Sequence, residues 1–266
     1  MARALKRHVQ QELGSFGKKL DKNGQFRGAR TGERRRARKG EQRRGVGRPK
    51  KGARASERHQ VRAAFRPSEP VHVILRAHGD VGSLRKGDVL HAIREALITA
   101  AKLDDFHVVQ FSVQRTHIHM ICEAEGRYAL ARGMKAFGIS AAKHINASSV
   151  GADGKRRRGA VFPDRYHVRI LKTPTQVRNC LRYVLNNWRH HGEDRGSRSR
   201  SWKLDPFSSA TTFEGWKEQE HRGGRYVQPP TYVTPLVWAP STWLLSVGWR
   251  KVGLISAFDV PGAGPE

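Results

Sequence analysis

The apolar positions between residues 70 and 191 follow two different periods along the chain. Four segments rich in β-branched and aromatic residues are typical of strands, and they span 71–76, 106–114, 116–124 and about 166–171. Apolar residues at three- and four-residue spacing predict helices at about 83–103, at 127–146 and from 173 onward. The order strand, helix, strand, strand, helix, strand, helix indicates an α+β fold, with helices packed on a ferredoxin-like antiparallel sheet.

Local signals define several ends of these elements. Ser83 or Asp88 is the predicted cap of the first helix, and Thr173 is the predicted cap of the third. Pro174 suits the first helical turn, where its missing N–H group costs nothing. Only Arg115 separates the second and third strands, which predicts a tight antiparallel hairpin.

The last part of the chain, 193–266, is predicted to be an extension of a domain that spans 67–192. It begins with a basic polar linker and then carries five tryptophans, which argue against full disorder because they would expose a large apolar area. Residues 242–252 have the spacing of a short helix that docks on the main domain. The function of the extension cannot be read from its sequence.

The distribution of charge defines a third region. The whole chain carries 51 Lys and Arg against 23 Asp and Glu, a net charge of +28. Residues 1–66 alone hold 22 Lys and Arg against 5 Asp and Glu, which gives +17. With few large apolar residues, this segment is predicted to be a disordered basic arm. The expected partner is a polyanion, and nucleic acid is the default.

The arm contains a Gly-Arg-Pro sequence that includes Arg48 and is followed by Lys50. It resembles an AT-hook, which lies in the minor groove, although Val46 stands where an Arg usually precedes the glycine. Non-specific contact of a flexible arm with phosphates is the favoured interpretation. No apolar run is long enough to span a bilayer, no secretory signal is evident, and two cysteines are too few for a disulfide framework.

The most informative short motif is His117-Ile118-His119 on the third strand. Alternate residues of a strand face the same side, so His117 and His119 project together while Ile118 points to the other face. Two imidazoles at this spacing suit one metal cation. From spacing alone, a structural role as a pair of partly buried histidines beside a polar rim is as well supported as metal binding.

The third helix carries two stripes. The first is apolar and packs on the sheet, and it consists of Val177, Leu181, Val184 and Trp188. The second lies about a quarter-turn away and consists of Gln176, Cys180, Tyr183 and Asn187. Tyr183 is therefore off the most apolar face, and Asn187, one turn later, has an amide oxygen that can bind a hard cation. Taken alone, Tyr183 is more often a packing residue than a nucleophile.

Taken together, these motifs resemble the HUH single-tyrosine transposases. The histidine pair, the later sequence 181–187 around Tyr183, and the phrases at 111–119 and 161–167 agree in order and spacing with that family over about 70–191. Within it, the chain is most similar to the insertion-sequence-200-like proteins, including those associated with repetitive extragenic palindromes.

The resemblance implies a metal-dependent nuclease that nicks and rejoins single-stranded DNA at hairpin-bearing ends. His117, His119 and Asn187 would hold Mg²⁺ or Mn²⁺, and Tyr183 would form a 5′-phosphotyrosine intermediate. Asn187 departs from the Gln that relatives often carry at this place, and its side chain is one methylene shorter. Basic residues near the motifs are candidates for contact with the DNA backbone, with solvated surface charge as the alternative; they are Arg115, Lys135, Arg165, Arg178 and Arg182.

Other functions remain open at this level. A catalytically inactive or domesticated DNA- or RNA-binding protein would keep the fold and lose the chemistry. An unrelated hydrolase that uses His-x-His is a second alternative. Histidine-triad hydrolases have a third alternating His, whereas this chain has Ile121 at that position. We expect a cytoplasmic, nucleoid-associated bacterial protein that does not bind membranes. The sequence leaves open whether it works as a monomer or a homodimer.

Overall fold

A computed structural model describes residues 61–150, 154–195, 204–218 and 236–262. The arm before residue 61, with Arg48 and Lys50, lies outside the described residues. The strands are β1 (Val71–Arg76), β2 (Phe106–Val113), β3 (His117–Ala124) and β4 (His167–Ile170). The helices are α1 (Gly87–Ala100), α2 (Arg127–Ser148), α3 (Pro174–His190) and the single turn α4 (Trp243–Ser246).

The four strands form one antiparallel sheet in the order β2-β3-β1-β4. The chain thus places its first strand at the centre, between β3 and β4, as a ferredoxin-like fold requires. The predicted α+β fold is confirmed. In the β1–β3 register, Ile74 lies opposite His119 and Arg76 lies opposite His117.

One face of the sheet packs against α1 and α2. Ile118, Met120 and Cys122 of β3 are fully buried in this layer, in the same apolar cluster as Phe137 of α2. The β2–β3 pairing shifts between Val108 and Gln110, and Val109 belongs to the cluster on the opposite face. This bulge changes the alternation of β2, so that Phe106 and Val108 before it and Phe111 and Val113 after it belong to the same apolar cluster.

The other face of the sheet packs against α3 and parts of the extension. The apolar stripe of α3 is buried here as predicted, with Val184 and Trp188 almost inaccessible. Trp216 and Trp249 of the extension are buried in the same cluster. The predicted docking of a short helix is also found, because α4 and the following 3₁₀ turn Gly248–Val252 lie against α3.

Two buried carboxylates join the extension to the rest of the domain. Glu123 of β3 accepts hydrogen bonds from the backbone N–H groups of Ser241 and Thr242 at the start of α4. Asp205 accepts two hydrogen bonds from the guanidinium of Arg85, at 2.8 and 3.0 Å. Pairing of this kind offsets the cost of burying an ionised carboxyl group.

Most predicted ends of elements agree with the structure, and one cap does not. The Thr173 side chain accepts a hydrogen bond from the N–H group of Gln176, with Pro174 in the first turn of α3. Helix α1 instead begins after Lys86, which has no side-chain cap, while the Ser83 hydroxyl accepts from the Arg85 N–H group. Among the described residues, no helix is both long and apolar enough to cross a membrane.

The packing of α2 on the sheet depends on a glycine. A Cβ atom at Gly133 would lie 2.1 Å from a ring carbon of Phe106, whereas one at Gly138 of the same helix meets no atom within 4 Å. We predict that Gly133→Ala lowers the free energy of unfolding by about 1–3 kcal/mol, as overpacking does. Gly138→Ala should leave it unchanged or raise it by up to about 1 kcal/mol.

Urea denaturation of both variants beside the unaltered protein measures this difference. Equal stability of Gly133→Ala and Gly138→Ala would contradict the close approach of α2 and β2.

Candidate active site

The two histidines of β3 project from the sheet toward α3. Their Nε2 atoms lie 2.9 Å apart, and the ring planes are nearly perpendicular. Nδ1 of His117 lies 3.2 Å from the hydroxyl oxygen of Thr116. His119 is buried and His117 is partly exposed, so the pair is open to solvent on one side only.

A third histidine, His72 of β1, completes this cluster. Its Nε2 atom lies 3.0 Å from Nδ1 of His119, and the two rings are stacked with centroids 5.2 Å apart. If His119 donates its Nδ1 proton to His72, its Nε2 lone pair is free for a ligand. Contacts of this type orient metal-binding histidines in proteins.

All three imidazoles are held in the neutral form. Burial lowers the pKa of His72 to about 4, assisted by the neighbouring His167 and Arg169. Burial also lowers the pKa of His117 to about 4, with contributions from His191 and Arg76. The pKa of His119 falls well below its usual range, again mainly through burial. Neutral imidazoles can donate a lone pair to a cation at neutral pH.

Helix α3 brings Tyr183 against the histidines. Its ring centroid lies 5.2 Å from that of His119 and 6.2 Å from that of His72, both in edge-on geometry. Two turns later, His191 at the end of the helix lies 5.8 Å from the ring of His117. Asn187 stands between Tyr183 and His191 on the same helical face, because residues four apart are neighbours on a helix.

Asn187 is fully buried, and neither atom of its side-chain amide has a hydrogen-bond partner among the described residues. The neighbouring Asn186 is also buried, but its Nδ2 donates to the carbonyl oxygen of Ser256 at 2.9 Å. A buried amide without partners is costly and rare in folded proteins. The site therefore retains Asn187 at the expense of stability.

These features fit a divalent cation. If both Nδ1 protons are present, the Nε2 atoms of His117 and His119 each carry a lone pair. They lie 2.9 Å apart, close to the roughly 3.0 Å between adjacent ligands about 2.1 Å from one cation. Among the described residues, no group of three or more His, Cys, Asp and Glu side chains could hold a metal. The buried amide oxygen of Asn187, which has no hydrogen-bond partner among the described residues, is a donor of the kind that such a cation accepts.

The basic residues predicted to contact DNA lie in different places. Arg115, at the tip of the hairpin, forms an ion pair with Glu193, just beyond α3. Arg182 is on α3, and its buried Nε atom has no hydrogen-bond partner among the described residues. Arg165 lines a cavity beside β4, and Lys135 is exposed on α2, across the sheet from the histidines. Arg178 donates to the carbonyl oxygens of Gly253 and Leu254 in the extension.

Residues that the sequence reasoning missed also surround the site: His72, His191, Arg76 and Arg169. Strand pairing sets His72 opposite Ile121 and Arg169, on the same face as His119. A polar residue within the apolar run 71–75 was the available signal for His72. His191 could have been found by extending the stripe of Tyr183 and Asn187 by one more turn.

Comparison with known proteins defines the class of this domain as a transposase. Residues 69–187 match the family model described as "Transposase IS200 like", and the match ends at Asn187. These residues belong to the IS200-like transposase family. No curated protein matches the sequence.

Two solved structures are similar to this chain. One is a REP-associated tyrosine transposase bound to a REP hairpin, with 17% identity over 70% of this chain and 96% of that chain and a TM-score of 0.42. The other, from Deinococcus radiodurans R1, is provisionally assigned as a transposase, with 13% identity over 45% of this chain and 87% of that chain and a TM-score of 0.32.

The two adjacent asparagines generate a stability prediction. Leucine has the same branched shape as asparagine, so Asn187→Leu removes an unpaired buried amide and should not lower the free energy of unfolding in metal-free buffer. Asn186→Leu removes the bond to Ser256 and should lower that free energy by about 1–2 kcal/mol.

Urea denaturation in the presence of a chelator compares the two variants. An Asn187→Leu variant as unstable as Asn186→Leu would show that the Asn187 amide has a structural partner.

Proposed function

We propose that this protein is a metal-dependent endonuclease and strand transferase that cuts single-stranded DNA at hairpin-bearing ends through a 5′-phosphotyrosine intermediate. The observation that carries the proposal is the edge-on approach of Tyr183 to His119, with ring centroids 5.2 Å apart. A tyrosine used only for packing would not need a cluster of neutral imidazoles beside it. Membership of residues 69–187 in the IS200-like transposases supports the same chemistry.

His117, His119 and Asn187 would hold the divalent cation, Mg²⁺ or Mn²⁺. When bound, such a cation polarises the scissile phosphate and neutralises the charge that develops on it. His72 keeps His119 in the tautomer that exposes its Nε2 atom, through their 3.0 Å contact. The hydroxyl of Thr116 lies beside Nδ1 of His117 and can act in the same way.

Tyr183 is the proposed nucleophile. Its phenolic oxygen would bond to phosphorus while the bond from phosphorus to the 3′ oxygen breaks. The phenol proton is lost, by way of a bridging water, and the departing 3′ oxygen takes up a proton to become a hydroxyl group. Because the new phosphotyrosine bond conserves the energy of the phosphodiester, a 3′-hydroxyl can reverse the step and join a new end without ATP.

The positive charge of the chain supports a DNA substrate. Arg76 is exposed and lies opposite His117 in the β1–β3 register, so it is well situated for a phosphate next to the site. We propose that Arg115, Arg165 and Arg182 extend this contact along the DNA backbone. Lys135 would have to meet a separate part of the DNA, because it lies across the sheet. Arg48 and Lys50 in the basic arm would add sequence-independent affinity.

The nucleophile assignment predicts a covalent adduct. With Mn²⁺ and a labelled single-stranded hairpin substrate, the unaltered protein should form a protein–DNA band that survives denaturation. Tyr183→Phe should abolish this band, because the phenylalanine lacks the attacking oxygen. Tyr128→Phe is the matched control, since Tyr128 is 77% exposed on α2, and it should retain the adduct in full.

An adduct that persists in Tyr183→Phe would reject Tyr183 as the nucleophile. Intact DNA binding without any adduct in the unaltered protein would favour a catalytically inactive DNA-binding protein instead.

The metal ligands predict stabilisation by Mn²⁺ without DNA. Free Mn²⁺ at about 100 times its Kd should raise the free energy of unfolding by about 2.7 kcal/mol. His117→Ala and Asn187→Leu should reduce this gain, because each removes one ligand. His91→Ala, which removes an exposed histidine of α1, should retain it.

Thermal denaturation at increasing Mn²⁺ concentrations provides the measurement. Equal stabilisation of His117→Ala and the unaltered protein would contradict the proposed ligand set.

A further inference from the structure

Residues 253–261, which we call the strap, run along helix α3 and accept hydrogen bonds from its side chains. Four polar residues of α3 contact backbone carbonyl oxygens of the strap at 2.7–3.1 Å. The pairs are Arg178 with Gly253 and Leu254, Asn186 with Ser256, Arg189 with Ala257, and His190 with Pro261. These contacts involve residues of α3 both before and after Tyr183 in the sequence.

The strap is held on its other side by an earlier part of the extension. Ile255 forms a parallel bridge with Trp216, and its carbonyl oxygen accepts from the N–H group of Lys217 at 2.9 Å. The carboxylate of Glu218 accepts hydrogen bonds from the Ser256 hydroxyl and from the Ala257 N–H group. The strap is therefore fixed between α3 and residues 215–218.

The extension also supplies most of the apolar surface around α3. In the cluster that buries this helix, only Val109 and Ile121 come from the strands. The larger contribution comes from residues of the extension, which are Leu204, Ala210, Phe213, Trp216, Leu244, Leu245, Trp249, Ile255 and Ala257. The matched family region ends at Asn187, so this packing lies beyond it. Removing the extension would expose apolar side chains of this cluster that α3 shares with it.

We propose that the strap is a positioning element that keeps the tyrosine helix docked, and thereby holds Tyr183 beside His119 of its own chain. Arg178, Asn186 and Arg189 act through the placement of Tyr183 and are positioning residues. Their hydrogen bonds involve two charged guanidinium groups, which make stronger bonds than neutral donors. The catalytic consequence rests on the proposed function, whereas the docking of α3 does not.

Two native cysteines allow docking to be measured without any activity. Cys180 lies on α3 and Cys122 lies on β3, and both are buried free thiols. Burial raises the pKa of Cys180 to about 12 and also raises that of Cys122. Neither thiol should react until its surroundings open. Cys180 reports release of α3, and Cys122 reports unfolding of the sheet.

The test uses Arg178→Met/Arg189→Met, which keeps aliphatic length and removes the guanidinium bonds to Gly253, Leu254 and Ala257. The ion pair between Arg189 and Asp194 is lost as well. A matched double variant, Arg94→Met/Lys143→Met, removes two charges from α1 and α2. Modification by N-ethylmaleimide, followed by mass spectrometry, should be faster by about tenfold or more at Cys180 in the strap variant. Cys122 in that variant, and both thiols in the control, should react at the unaltered rate.

Adduct formation provides the second readout. At saturating hairpin DNA the strap variant should form adduct about tenfold or more slowly than the charge-matched control, with the same affinity for DNA as that control. A mixture of Tyr183→Phe and His119→Ala proteins should form no adduct. The strap of each chain holds its α3 against its own sheet, so the tyrosine of one chain does not reach the histidines of the other.

Several results would overturn the proposal. They are equal acceleration of both cysteines, an unchanged Cys180 rate with DNA affinity weaker than that of the control, faster adduct formation in the strap variant, and recovery of adduct in the mixture. If the unaltered protein forms no adduct at all, the proposed function fails, and the cysteine rates still decide whether the strap holds α3.

Discussion

The antiparallel pairing of β1 with β3 decides which residues of β3 face each layer of helices. It directs Ile118, Met120 and Cys122 into the layer of α1 and α2, and it turns His117 and His119 toward α3. A shift of one residue would reverse every side chain of a strand. The histidines would then enter an apolar core, and the site would not exist. The same pairing brings His72 from the neighbouring strand to His119.

The site carries costs that a purely structural packing would avoid. Three imidazoles lie close together with lowered pKa values, and the buried amide of Asn187 has no partner among the described residues. Local features that oppose stability are expected at functional sites, where the surrounding structure holds them in place. Here that support comes from the sheet on one side and from the extension, through α3, on the other.

Much of the fold could be predicted because its signals are local. The alternation in β3, the Thr173 cap and the apolar stripe of α3 each depend on residues within a few positions of one another. The contact between His72 and His119 depends instead on strand register across 47 positions, and no short pattern encodes that register. The extension shows the same limit. Its tryptophans indicated packing, but the bonds from Arg178 and Arg189 to the strap join segments that are distant in sequence.

We propose that Tyr183 becomes covalently attached to DNA, and a tryptic peptide can report this attachment directly. Trypsin should cleave after Arg182 and Arg189, which releases Tyr183–Arg189 as one short peptide. After reaction with a hairpin substrate and nuclease treatment, mass spectrometry should find a nucleotide on the tyrosine of this peptide. The phosphate should join the tyrosine oxygen to the 5′ oxygen of the nucleotide. The other fragment of the cleaved DNA should end in a 3′-hydroxyl. A nucleotide attached to any other residue, or cleaved DNA with the Tyr183–Arg189 peptide unmodified throughout, would contradict the account.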